Sequence, residues 1–142
     1  MRYLKTFRTV SQAAEEGFLH GIKRTCYDTF YPFQIFPQKG LQQVEFDDIT
    51  LFYGGNGSGK STLLNVIAAE IGAERMAAFN KSNFWDDYVR RCETEYYSTQ
   101  TENRCIITSD DVFDYMLDIR SLNDGIHEKR EERLAEYTEY QV

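Results

Sequence analysis

Residues 54–62, Gly54-Gly55-Asn56-Gly57-Ser58-Gly59-Lys60-Ser61-Thr62, combine the residue types needed to hold a polyphosphate. They contain the pattern G-x-x-x-x-G-K-[ST], opened by Gly54 and closed by Gly59, Lys60 and Ser61. The glycines open backbone conformations closed to residues with a Cβ, so successive N–H groups can turn inward around an anion. Lys60 has the length to reach the β- and γ-phosphates of a nucleoside triphosphate, where it would act on the reacting group as the catalytic cation. The Ser61 hydroxyl is the expected Mg²⁺ ligand, and Thr62 leads into a helix whose positive end faces the phosphates. The competing reading is a chance match in a glycine-rich turn.

Such a loop needs a buried strand before it and a helix after it. Ile49-Thr50-Leu51-Phe52-Tyr53 is a β-branched and aromatic run of the kind found in a parallel strand covered on both faces. Residues 63–71, Leu63 to Ile71, are apolar nearly all round, which predicts a buried helix, with Gly72 as a residue able to end it. Strand, loop and helix together favour nucleotide binding over coincidence.

The rest of the chain bounds the setting. With 142 residues, 42% of them apolar and 15% aromatic, it can fill one core. A formal charge of −7 argues against a whole-surface affinity for nucleic acid, though a local basic patch stays compatible with it. The sequence has no apolar run long enough to span a bilayer, and residues 1–8 lack the apolar stretch of a secretory leader. Cys26, Cys92 and Cys105 are odd in number and widely spaced, which fits reduced thiols and a cytoplasmic setting better than disulfides or zinc. His20 and His127 have no partner at metal-ligand spacing.

Antiparallel strands are expected to flank the loop. Tyr3 to Phe7 reads as a first strand, and residues 11–17 as a loop or short helix. Residues 23–36 are aromatic and β-prone, with Pro32 and Pro37 suggesting edge strands, and Gln42 to Phe46 resumes as a strand. Downstream, Arg75 to Phe79 is a weak strand candidate. Asn83 caps a predicted helix from Phe84 to about Tyr97, with Trp85, Tyr88, Val89 and Cys92 on one face. Residues 104–108 read as a short strand. A long helix capped by Thr108 or Ser109 follows, with Val112, Met116, Ile119, Leu122 and Ile126 at helical spacing and a potential break at Asn123-Asp124-Gly125.

The run Tyr53 to Leu64 is richer than the bare loop pattern. It resembles the ATP-binding loop of ABC-type ATPases, and its Asn-Gly-x-Gly-Lys-Ser-Thr-Leu-Leu form is most similar to the stand-alone and chromosome-maintenance branch, called AAA-family ATPases in bacteria. The resemblance covers about residues 44–72. It implies an α/β P-loop NTPase fold: a β-loop-α core, flanking antiparallel strands and a C-terminal helical segment. It also implies ATP as ligand and Mg²⁺ as cofactor. Residues 54–62 would bind them, with Ser61 on the metal. An aromatic ring against adenine is implied as well, for which Tyr27, Phe30 and Tyr31 lie at about the right distance, with core packing as the competing role.

Several family elements have no counterpart here. A Walker B strand ending in Asp-Glu, a signature loop and a switch histidine are not found after residue 110, and no glutamine stands at the strand end Ile107-Thr108-Ser109-Asp110. Ser109 or Asp110 could substitute there, although helix capping explains both. The chain therefore looks like a single, incomplete ATP-binding domain. Residues 1–108 would be a strand-rich core and 109–142 the start of a helical subdomain. Its partner would be a second ATPase subunit or the missing C-terminal half. Two other readings compete. One is a small P-loop kinase using Asp110 or Asp111 for Mg²⁺ and Arg90 or Arg91 as a lid. The other is a non-hydrolysing, nucleotide-sensing assembly module.

Overall fold

Alternation near the N-terminus builds the first strand, β1 (Leu4–Arg8), whose Phe7 is fully buried. A computed structural model describes residues 2–23, 26–98 and 103–140, in two compact units, Met1–Ile106 and Ile107–Val142. In the first unit β1 is the centre of a three-stranded antiparallel sheet ordered β2-β1-β4, with β2 at Gln43–Glu45 and β4 at Glu93–Tyr96. Phe7 stands opposite Val44 on one side and Thr94 on the other. The outer face carries Lys5–Glu95 (3.3 Å) and Arg8–Glu95 (3.5 Å) ion pairs, half-exposed and therefore of small net worth.

Residues 11–17 belong to a helix, α1 (Gln12–Gly21), where the Ser11 side chain accepts a hydrogen bond from the Ala14 N–H at 3.3 Å. The aromatic stretch after it departs from expectation. Of the antiparallel strands expected across residues 25–46, only β2 forms, Arg24 and Thr25 lying outside the described residues. The cause is local. Pro32 and Pro37 have no N–H to give a ladder, Gln34 sits at φ +68°, and Pro37–Lys39 winds into a 3₁₀ turn closed by Gly40 at φ +68°. The aromatic rings then serve the core instead of a sheet. Phe33 stacks on Phe18 (4.7 Å) and meets Tyr88 edge-on (4.9 Å).

The helix after the loop, α2 (Lys60–Glu70), buries Leu63, Val66, Ile67 and Ala68, while Leu64 is half-exposed. It is buried along one face rather than all round. Gly72, at φ +66°, turns the chain so that Ala73 donates to the Ala68 carbonyl at 2.8 Å. Two short strands follow the helix, β3 (Glu74–Arg75) and β5 (Cys105–Ile106), paired in parallel.

The helix expected from Phe84 to about Tyr97 is shorter. It is α3 (Trp85–Val89), and its continuation becomes β4. Pairing of Glu93–Tyr96 with β1 outweighs helical spacing, a tertiary choice that propensity cannot foresee. At its start Ser82, not Asn83, accepts from the Phe84 N–H. Trp85, Tyr88 and Cys92 enter the core, joining Phe7, Phe36 and the buried face of α2.

The second unit is one helix, α4 (Ser109–Tyr140), 32 residues long. Thr108 starts it in a reciprocal arrangement. Asp111 Oδ2 accepts from the Thr108 N–H (2.6 Å), and the Asp111 N–H donates to Thr108 Oγ1 (3.4 Å). It runs through Asn123-Asp124-Gly125 unbroken and has no buried residue. Among the described residues no helix is long and apolar enough to cross a membrane.

Candidate nucleotide-binding site

The segment leading to the glycine loop is not the covered strand expected of it. Residues 49–53 lie in no sheet, and Ile49, Leu51 and Tyr53 are 81%, 88% and fully exposed. Among the described residues no strand pairs with the segment, and its alternate side chains are left in solvent. The β-loop-α unit is present as loop and helix, without a paired strand beneath it.

The loop itself is closely organised. Its chain turns at Asn56-Gly57, with Gly57 at φ +76°, and Gly59 at φ +92° is the residue from which α2 departs. That left-handed geometry suits glycine and explains its presence there. Lys60 folds back over the loop, donating from Nζ to the carbonyls of Gly54 (2.5 Å) and Gly55 (2.8 Å) and to Ser58 Oγ (3.0 Å). The N–H groups that open α2 have no carbonyl partner within the helix, which makes the loop end of α2 a place for negative charge.

A cleft of about 430 Å³ lies along the loop. Residues 56–62, Asn56 to Thr62, form one wall, so the structure brings the sequence-predicted binding residues together. Gly54 and Gly55 take part through their carbonyls on Lys60. The other wall is Gln34, Ile35, Gln38 and Lys39, none of which the sequence reading marked. In the sequence Gln38-Lys39-Gly40 reads only as a turn, and the contact spans 18 residues, Lys39 Nζ donating to the Gly57 carbonyl at 3.0 Å. Among the described residues no acidic side chain lines the cleft, although the chain has 23 Asp and Glu against 16 Lys and Arg.

That second wall is fixed from behind. Glu15 on α1, almost fully buried, accepts from the Gln34 N–H through Oε2 at 2.7 Å and so holds the left-handed Gln34 in place. Burial pushes the Glu15 carboxyl above its ordinary range, and the hydrogen bond from Gln34 offsets part of that. Tyr31 donates its hydroxyl to Thr62 Oγ1 at 3.1 Å and stacks against Trp85. Tyr27 and Phe30 pack against Phe84. Tyr31, through Thr62, is thereby bonded to a residue of the loop.

The remaining candidates have other positions. Asp110 and Asp111 lie in the first turn of α4, where Asp111 caps the helix. Arg91 lies over the Phe18 ring at 4.2 Å and donates to the Asp87 carbonyl at 2.5 Å. The cysteines are free, and burial pushes the Cys92 thiol up to about 12. Among the described residues no group of three or more His, Cys, Asp or Glu side chains gathers where a metal could sit.

Residues 36–84 match the family model described as the P-loop containing region of AAA domain. The match takes in the Lys39 turn, β2, the glycine loop, α2 and β3, and ends at Phe84, one residue before α3. No curated protein and no solved structure matches the chain. The match covers roughly a third of the sequence, and what it supports is a P-loop NTPase-like region within this chain.

Proposed function

We propose that the chain binds ATP with Mg²⁺ through residues 54–62, as the nucleotide-binding portion of an ABC-type ATPase. One observation carries the reading. A cleft on the surface of a strongly acidic chain is lined by the glycine loop, the start of α2 and two lysines, and among the described residues by no carboxylate. Such a cleft favours a polyanion over any other ligand class. The polyphosphate would take the place of the carbonyl oxygens that now hold Lys60 Nζ. Ser61, at the exposed start of α2 and on the cleft wall, offers the hydroxyl expected to hold Mg²⁺. The metal, when bound, would neutralise charge on the phosphate oxygens.

The ABC-type assignment draws its support from the sequence between Tyr53 and Leu64, and turnover on this reading needs residues supplied by a second subunit or a further segment. Nucleotide binding comes first and is testable alone. Lys60→Ala removes the cation aimed at the phosphates, and ATP affinity measured by calorimetry should fall at least tenfold, about 1.4 kcal/mol. Equal binding by the wild type and Lys60→Ala would overturn the proposal.

A further inference from the structure

The wall opposite the loop carries a second cation whose place in the fold is as well defined as that of Lys60. We infer that Lys39 is a polyphosphate ligand of the same cleft, gripping the nucleotide from the side facing the glycine loop. The inference rests on the nucleotide-binding reading above and adds a residue outside the 54–62 motif.

The backbone of Lys39 is fixed. Its N–H donates to the Phe36 carbonyl at 3.0 Å, Phe36 is almost fully buried, and Gly40 closes the turn with its own N–H on the Pro37 carbonyl. Further back, the Glu15 carboxylate pins Gln34. The side chain is exposed and runs along the loop, since a Cβ built on Gly59 would stand 3.7 Å from Lys39 Cε. A lysine ammonium has three donors, and Lys39 spends one on the Gly57 carbonyl at 3.0 Å. Among the described residues no carboxylate pairs with Lys39, and none lines the cleft.

Two ammonium groups on one cleft with no protein counter-charge repel each other, and an anion between them removes that cost. A neutral base or ribose would not. The expected partner of Lys39 is therefore a phosphate oxygen, reached by a short swing away from the Gly57 carbonyl. The competing role is a brace. In that case Lys39 would only steady the loop through Gly57, a task that any side-chain donor of similar length can perform.

The test is calorimetric binding of ATP and of ADP, each with Mg²⁺, to the wild type and to Lys39→Ala, Lys39→Gln, Lys39→Arg and Lys60→Ala. Loss of one charge-assisted contact should weaken both nucleotides by about tenfold in Lys39→Ala and in Lys39→Gln, with Lys39→Arg near wild type. The deficit should shrink as salt is raised, and the melting temperature without nucleotide should not move, because the side chain is exposed. Wild-type affinity in Lys39→Ala alongside a weakened Lys60→Ala would overturn this inference while leaving the nucleotide site standing. Recovery of affinity in Lys39→Gln would identify a brace and overturn it equally. An unaffected Lys60→Ala would instead remove the nucleotide-binding reading itself.

Discussion

Glu15 fixes one wall of the proposed binding cleft without entering it. Its carboxylate lies behind the cleft, bonded to the backbone of Gln34, and burial raises its proton affinity. Because its folded value lies above the ordinary 4.5, the folded chain holds the proton more tightly than the unfolded chain does. Stability attributable to Glu15 is therefore greatest at acid pH and is lost as pH rises from about 4.5 through the raised value. The nearby Tyr88 and Cys92, both raised by burial, stay neutral across that window and do not mask it. Glu15→Gln keeps an oxygen for the Gln34 N–H and discards the charge. Its melting temperature should exceed that of the wild type at pH 7, and the gap should close toward pH 4. A gap independent of pH would mean that the Glu15 charge carries no cost in the fold. Nothing in the sequence near Ser11 marks this residue. Gly59 and Lys60, by contrast, are readable at once, because a phosphate loop constrains consecutive residues while the Glu15 contact spans 19 positions.

At the scale of elements, the sequence is most readable where local rules govern and least where a partner decides. The cap at Thr108, the glycine after α2 and the apolar face of α2 follow from neighbours within a turn or two. The split of residues 84–97 into α3 and β4 does not, since Glu93–Tyr96 become a strand only because β1 is there to pair with. The same logic, inverted, leaves Ile49–Tyr53 unpaired despite a strand-like composition. Helix α4 is the simplest case, with no buried residue and hence no packing to override intrinsic preference. Gly125 sits inside it, with open space around a would-be Cβ and no left-handed φ. Gly125→Ala should therefore strengthen α4 by about 0.8–1 kcal/mol. Ellipticity at 222 nm during heating should show the helical loss of α4 moved to higher temperature, with Trp85 fluorescence unchanged. An unshifted or earlier loss would show that Gly125 has a role that the isolated helix does not reveal.

At the scale of the whole molecule, the cleft is coupled to one core and the long helix lies in the other unit. Leu63, Val66 and Ile67 of α2 pack in the cluster that contains Trp85, the sole tryptophan, which is 1% exposed. Tyr31 joins the two from the other direction, stacked on Trp85 and bonded to Thr62. On the proposed function, a nucleotide at the loop end of α2 would bind only when that helix is formed and docked, so it should stabilise the first unit by mass action. The gain is about 2.7 kcal/mol at a ligand concentration one hundred times the dissociation constant. Trp85 fluorescence follows that unit, whereas far-UV ellipticity also counts α4. In a urea titration the two signals should already differ without nucleotide, because α4 has no core of its own and loses helix early. Adding ATP and Mg²⁺ should move the fluorescence midpoint to higher urea, leave the early ellipticity loss in place, and so widen the separation. Lys60→Ala should abolish the shift. Coincident transitions that move together on adding nucleotide would show that α4 folds as part of the nucleotide-binding unit. A fluorescence midpoint indifferent to nucleotide would break the link between the cleft and the core beneath it.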